Sequence, residues 1–279
     1  MKYATSSAIS INRYSNATAG LLGAPPSTIP LLRRLIAAFL LLFIFSDSAA
    51  ASEIQLRGYI RGKSYQYILL GNYPMLADGT VKPVLWRILS VDGSEALILT
   101  EQVIDAQQVL FINDPQVVAD HSYRRIGGYL ESDLHPWMNT EMLDTLFSED
   151  EKALLASEER GKLFCLSTEE FCTPAYGFSA SLWGEQKSRQ CSATKYAKSR
   201  GVYIDSSGTT CYWVGSIKHP DDYKMQIVGF NGHMSYGAYP RVNIGLRPAA
   251  RLNLNLVTVL SGTGTRADPF WVAPAATAK

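Results

Sequence analysis

The sequence predicts an α+β domain in which loop-rich mixed β-sheets are braced by two or three short helices. Three observations carry this expectation. Two apolar, β-branched runs, 84–91 and 95–99, flank Asp92-Gly93, a strong hairpin signature because both turn residues must accept positive φ. Two serine-led capping boxes, SEDE at 148–151 and STEE at 167–170, each open a short helix. After Tyr176 helical spacing fades, and Gly, Ser, Tyr and Asn become frequent between short β-like runs.

Taken in order, 52–70 reads as two short strands, IQLRGYI and SYQYILL, ended by Gly71-Asn72-Tyr73-Pro74. The hairpin follows, with Trp86 as its core anchor. A polar, irregular stretch runs from Asp105 to Gly128. Asp133 is placed to cap a helix through Met142, with Pro136 early enough that its missing N–H costs nothing. Leu134, Trp137, Met138 and Met142 recur at helical spacing and share one face. A second helix runs from the Ser148 box to Leu155. The apolar run Leu163-Phe164-Cys165-Leu166 reads as a strand before the Ser167 box, and one more helical signal covers Thr194 to Lys198. Strands return at Tyr212-Trp213-Val214, Gln226-Ile227-Val228, Val242-Asn243-Ile244 and Asp268 to Val272; 273–279 (APAATAK) reads as a loose tail. Without an internal repeat or a dividing linker, 52–272 is expected to be a single domain.

The chain has 26 basic and 25 acidic residues among 279, but the net charge of +1 averages two unlike segments. Up to Ala51 there are Lys2, Arg13, Arg33 and Arg34 against Asp47 alone, so the remainder carries −2. Neither total supports nucleic-acid binding. Arg33-Arg34 precede the uncharged run LIAAFLLLFIF (35–45), then SDSAAAS. That run is short for a membrane-spanning helix, which needs about 20 residues, and suits the apolar core of a secretory signal. Residues 1–51 are therefore expected to be a signal peptide with an unusually long N-terminal extension, cleaved after Ala51. The body is expected to be periplasmic or extracellular, touching the membrane only through the uncleaved leader.

Export gives the four cysteines meaning. Cys165, Cys172, Cys191 and Cys211 all lie in the body, and an even number in an oxidising compartment predicts two disulfides. Three pairings are possible; nearness in sequence favours Cys165–Cys172 and Cys191–Cys211. No CxxC, HExxH or GxSxG occurs, so neither a zinc site nor a familiar hydrolase motif is predicted.

Several segments, in order, resemble a widespread bacterial family of uncharacterised domains. Its pattern runs near FGxYPQ, PIEWRVL with ALLIS, SDIRxWLN…FSxEEK, WWLRSP and GVRPAL. Here these read LLGNYP (69–74), PVLWRIL (83–89) with ALILT (96–100), SDLHPWMN (132–139) with FSEDEK (147–152), CYWVGS (211–216) and IGLRPA (244–249). The resemblance implies a C-type-lectin-like fold, related to formylglycine-generating enzymes, with an exposed face between the last two motifs. It implies no activity. The sequence departs from the pattern where WWLRSP loses its arginine to Gly215, so that any role of that arginine is lost here or moved to Lys218. Arg247 is retained and expected to be structural, with Trp86, Trp137 and Trp213.

The candidate ligand-binding face is the stretch 216–243. Tyr223, Phe230, Tyr236 and Tyr239 stand there among small polar residues, the mixture binding loops use because rigid aromatics gain contact area at low entropic cost. Lys218, His219, Asp221, Asp222, Asn231 and His233 complete it. The ligand is expected to be a protein or a glycan. No catalytic residue, metal or cofactor is assigned; calcium is the one cation Asp221 and Asp222 suit, although the sugar-binding tripeptides of calcium-dependent lectins are missing. The alternatives are an oxidase using Cys191 and Cys211, by analogy with formylglycine-generating enzymes, and a purely structural envelope domain.

Overall fold

The computed structural model describes residues 55–108, 129–217, 225–238 and 243–275, all in the unit Ile54–Lys279. The expected signal peptide, 1–51, lies outside the described residues. The architecture is α+β, with two mixed sheets and a few short helices.

One sheet has six strands in the order β10 (Val257–Ser261), β11 (Phe270–Pro274), β1 (Tyr67–Pro74), β2 (Val81–Asp92), β3 (Glu95–Thr100) and β9 (Ala249–Asn253). Its one parallel pair is β1 with β11. The other has five, in the order β4 (Asp105–Gln107), β8 (Ile244–Leu246), β5 (Tyr212–Ile217), β6 (Met225–Val228) and β7 (Met234–Ala238), with β5 and β8 parallel.

The β2–β3 hairpin forms where expected, one residue out of register. Asp92 pairs with Glu95, so the turn residues are Gly93 and Ser94, with Gly93 at φ +55°. Strand alternation sends Val84, Trp86 and Ile88 inward. Trp86 is fully buried, donates Nε1–H to the Leu70 carbonyl at 2.9 Å and stacks on Phe147. Gly71 does not end β1 but bulges it. At φ +67° it brings the strand against a helix end, where a Cβ would lie 2.6 Å from the Leu146 carbonyl oxygen.

Residues 54–60 were expected as a strand; 55–60 are not one, and Ile54 lies outside the described residues. Their hold on the sheet is the bond from the Tyr59 amide to the Leu89 carbonyl, 3.0 Å, and the burial of Leu56. The run 163–166 is buried as expected but pairs only through the bridge Phe164–Ala249. At the C-terminus β11 continues through Pro274, and the Ala275 amide bonds the Leu256 carbonyl at 2.8 Å. The tail therefore cannot begin at 273; residues 276–279 lie outside the described residues.

The helices are short. Leu134–Trp137 passes through a widened π-helical turn, Met138–Met142, into Leu143–Leu146. Asp133 adopts helical angles and its side chain makes no capping bond, contrary to expectation. Ser148 and Ser167 form the reciprocal capping boxes expected of them, and Thr194 caps Lys195–Ser199. Among the described residues no helix is long and apolar enough to cross a membrane.

The chain crosses between the sheets twice, from β3 to β4 and from β8 to β9. Arg247 lies in the second crossing and donates Nε–H to the Thr100 carbonyl in the first, 2.9 Å away. Trp213 fills the second sheet's core and donates Nε1–H to the Gln107 carbonyl at 3.0 Å. Trp137 packs half-buried on the shared core. Trp86, Trp213 and Arg247 are thus buried and Trp137 half-buried.

Candidate functional site

Among the described residues, a concavity lies at the tip of the β6–β7 hairpin. Gly229 to His233 close this tip, the Gly229 amide bonding the His233 carbonyl at 2.9 Å and the Gly232 amide the Gly229 carbonyl at 2.8 Å. Gly232 is required here. Its φ is +80°, and a Cβ would sit 2.1 Å from the Gln186 carbonyl oxygen. That close approach lets the 181–190 loop lie along the hairpin, with the Gln186 amide donating to the Asn231 carbonyl at 2.8 Å and the Met234 amide to Leu182 at 2.8 Å.

Arg189 holds this arrangement from inside. Fully buried, it donates Nε–H to Gly232 (2.7 Å), Nη1 to Ser179 (2.7 Å) and Phe171 (3.1 Å), and Nη2 to Ser181 (2.5 Å), all backbone carbonyls. A planar fork of five donors is suited to irregular chain, where carbonyls have no sheet partner. The opposite wall is the turn 205–209. One oxygen of Asp205, Oδ1, accepts from the amides and hydroxyls of both Ser207 and Thr209. These bonds hold the carboxyl below its usual range, hydroxyl donation from Ser207 foremost. Thr209 Oγ1 then reaches the Phe230 carbonyl at 2.8 Å, tying the turn to the hairpin.

Between these walls is a cavity of about 640 Å³. Ile227, Phe230 and the half-buried Cys211 supply apolar surface; Glu185, Gln190, Ser207 and Ser235 supply polar groups beside Asp205. The exposed Tyr203 ring meets Phe230 edge-on at 5.3 Å.

Two residues expected in the binding face, Asn231 and His233, line this cavity and contact each other through Asn231 Oδ1 and His233 Nδ1. Tyr236 lies in β7, its side chain outside the description, and Lys218, His219, Asp221, Asp222, Tyr223 and Tyr239 are outside the described residues. The carboxylates proposed for calcium are thus not placed. Among the described residues no three His, Cys, Asp or Glu side chains converge as metal ligands.

None of the four cysteines expected to form two disulfides is paired in the structure: Cys165, Cys172, Cys191 and Cys211 are all free thiols. Cys165 is sealed in the core beside Met138 Sδ, 3.9 Å away, whereas Cys172 sits near Arg189 Nη1 at 3.8 Å. The segments of Cys191 and Cys211 do run together, since the Thr210 amide bonds the Cys191 carbonyl at 2.9 Å. Their side chains diverge: Cys191 Sγ contacts the Glu101 carbonyl in the interior, and Cys211 faces the cavity. Burial pushes the Cys211 thiol up to about 11, so it is protonated at neutral pH.

Gly215, where the resembled motif has arginine, has no room for any side chain. A Cβ there would approach the Cys165 carbonyl oxygen to 2.5 Å, and its amide bonds Leu166 at 2.9 Å. A second cavity, about 460 Å³, borders Lys82, Gln102 and Lys195. Its one acid, Glu101, is already paired with Arg87 at 2.5 Å and Arg266 at 3.4 Å.

Sequence reasoning missed Glu185, Gln190 and Asp205 as cavity residues, and Arg189 as their support. The one local signal was DSSGT at 205–209, a turn-forming sequence. No protein-family model, no curated protein and no solved structure matches the chain.

Proposed function

We propose that the chain is an exported, non-catalytic recognition module of C-type-lectin-like architecture, a member of the uncharacterised bacterial family its motifs resemble. Its ligand, a protein segment or a glycan, enters the cavity beside Asn231 and His233. The observation that carries this reading is the cavity itself. Its size, about 640 Å³, falls in the range of about 300–1,000 Å³ typical of small-ligand sites. Its wall combines apolar surface with a few polar groups that can orient a guest.

The cavity's thiol supports binding over chemistry. Cys211 is protonated at neutral pH, and a thiol is a weak nucleophile in that form. The partner that an oxidase of the formylglycine-generating kind would need, Cys191, is turned into the core.

The test is a thermal-shift screen of the purified chain against a panel of glycans and short peptides, repeated with Gly229→Ala. A Cβ at 229 would meet His233 Cε1 at 2.5 Å, a flexible ring that can move aside. The variant should fold and lose the stabilisation that a ligand confers. A ligand that stabilises both proteins equally would place binding elsewhere and overturn the reading.

A further inference from the structure

We propose that the cavity selects ligands bearing an alkylammonium group, with the apolar stem on Ile227 and Phe230 and the amine between Glu185 and Asp205. This rests on the reading of the cavity as the ligand site and specifies its chemistry.

Charge is the first argument. The only lining residues of fixed charge among those described are two acids, and no lysine or arginine stands with them. Glu185 has a neutral partner, Gln190 Nε2, at 3.5 Å. The bonds to Asp205 come from neutral amides and hydroxyls, and all go to Oδ1. Elsewhere in the same domain acids meet guanidinium groups directly, as Glu170 meets Arg160 at 2.7 Å and Glu158 meets Arg251 at 2.9 Å. In the cavity the counter-charge is left for the guest.

Geometry is the second. The acids, His233 and Cys211 border one cavity without converging as metal ligands. Spaced acceptors suit an ammonium, whose three N–H donors point in different directions, better than a bare cation that draws its ligands to one point. The apolar wall is the third. Ile227 and Phe230 can cover the methylenes of an amine's stem. An anionic guest would meet two carboxylates and no compensating charge.

The experiment titrates the purified chain, observed by amide NMR, with Nα-acetyl-lysine methylamide, cadaverine and Nα-acetyl-norleucine methylamide. The norleucine probe keeps the butyl stem of lysine and lacks its amine. We expect both amines to shift Asn231 and His233, and the norleucine probe to bind at least about tenfold more weakly. Glu185→Gln should weaken the amines about fivefold, the scale of a partly exposed charge pair, and leave norleucine unchanged. Lysine probe above cadaverine assigns the site to a peptide-borne amine; the reverse assigns it to a free one. Norleucine binding as tightly as lysine, or amine affinity unchanged by Glu185→Gln, overturns the amine inference and leaves the cavity reading standing. Silence from all three probes also overturns it. The cavity reading fails with it only if the glycan and peptide panel leaves Asn231 and His233 unmoved as well.

Discussion

Arg247 donates through Nη1 to the hydroxyl of Tyr212 at 3.2 Å, and its guanidinium carbon lies 5.3 Å from the centre of the Tyr212 ring. Both residues are buried, and the contact is one step in a longer string. Arg247 also holds Thr100 in the other sheet crossing, while Tyr212 donates onward to the Arg189 carbonyl at 2.6 Å. Arg189 in turn grips the cavity loop and the hairpin tip. The joint between the sheets and the wall of the candidate site thus belong to one buried polar network.

Tyr212→Phe keeps the ring against Phe171, 5.5 Å between centres, and removes only the hydroxyl. Arg247 then loses an acceptor and the Arg189 carbonyl a donor, each at a cost of about 1–3 kcal/mol when buried. Urea unfolding should show a lower midpoint with an unchanged slope. Stability equal to that of the parent would contradict the role given to the string.

Arg189→Lys keeps the charge and loses the planar fork. An ammonium cannot reach four dispersed carbonyls in the geometry Arg189 uses. Stability should fall by about 2 kcal/mol or more, and amide exchange at Gly232 and Asn231 should quicken more than in β2. Uniform acceleration would mean that Arg189 supports the whole fold rather than this wall.

Asp105 gives the fold a pH dependence. It is buried, accepts from the Tyr73 hydroxyl at 2.6 Å and the Ala106 amide at 2.7 Å, and faces Arg200 Nε at 3.5 Å. Burial outweighs these partners and raises its carboxyl above 3.8. The folded chain therefore holds the proton more tightly than the unfolded one. The stability this group contributes is fully present below 3.8 and is lost as pH rises through the raised folded value. Asp105→Asn removes that titration. The stability of the parent minus that of the variant should be larger at about pH 4 than at about pH 7; a difference that grows with pH would contradict the assignment.

The thiols can be counted directly. In denaturant without reductant, the chain should titrate four thiols. In the native state the half-buried Cys172 and Cys211 should react first, slowly at neutral pH because burial raises both, and Cys165 and Cys191 only on unfolding. A count below four would restore the disulfide expectation.

What the sequence revealed was what is decided locally. The 92–95 hairpin and the Ser148 and Ser167 boxes follow from a few adjacent residues, and each forms. β1 continues through Gly71-Asn72-Tyr73-Pro74 because, past the bulge, Asn72, Tyr73 and Pro74 pair with Pro83, Lys82 and Val81 of β2, and Tyr73 finds a buried partner in Asp105, 32 positions away, a contact no local pattern contains. The apolar run 163–166 had the composition of a strand and found only a bridge. Asn231 and His233 were legible as members of the aromatic, Gly- and Asn-bearing stretch 216–243 expected to form an exposed face. Glu185 and Asp205 were not, because loops from separate parts of the chain carry them to the cavity. Arg189, beside Lys187, Ser188 and Gln190, looks in sequence like a solvated side chain; its burial comes from carbonyls that the fold assembles around it. The disulfide expectation rested on a compartment and an even number, neither of which states where a side chain points.

The cavity between the 181–190 loop and the β6–β7 hairpin is proposed to receive the ligand. Its most direct test is amide NMR mapping of the purified chain against a fragment library of amines, small glycans and short peptides. Binding should shift Cys211, Phe230, Asn231 and His233 together, with β2 and β3 unmoved. A saturating ligand that leaves those four signals in place and shifts another surface would contradict it.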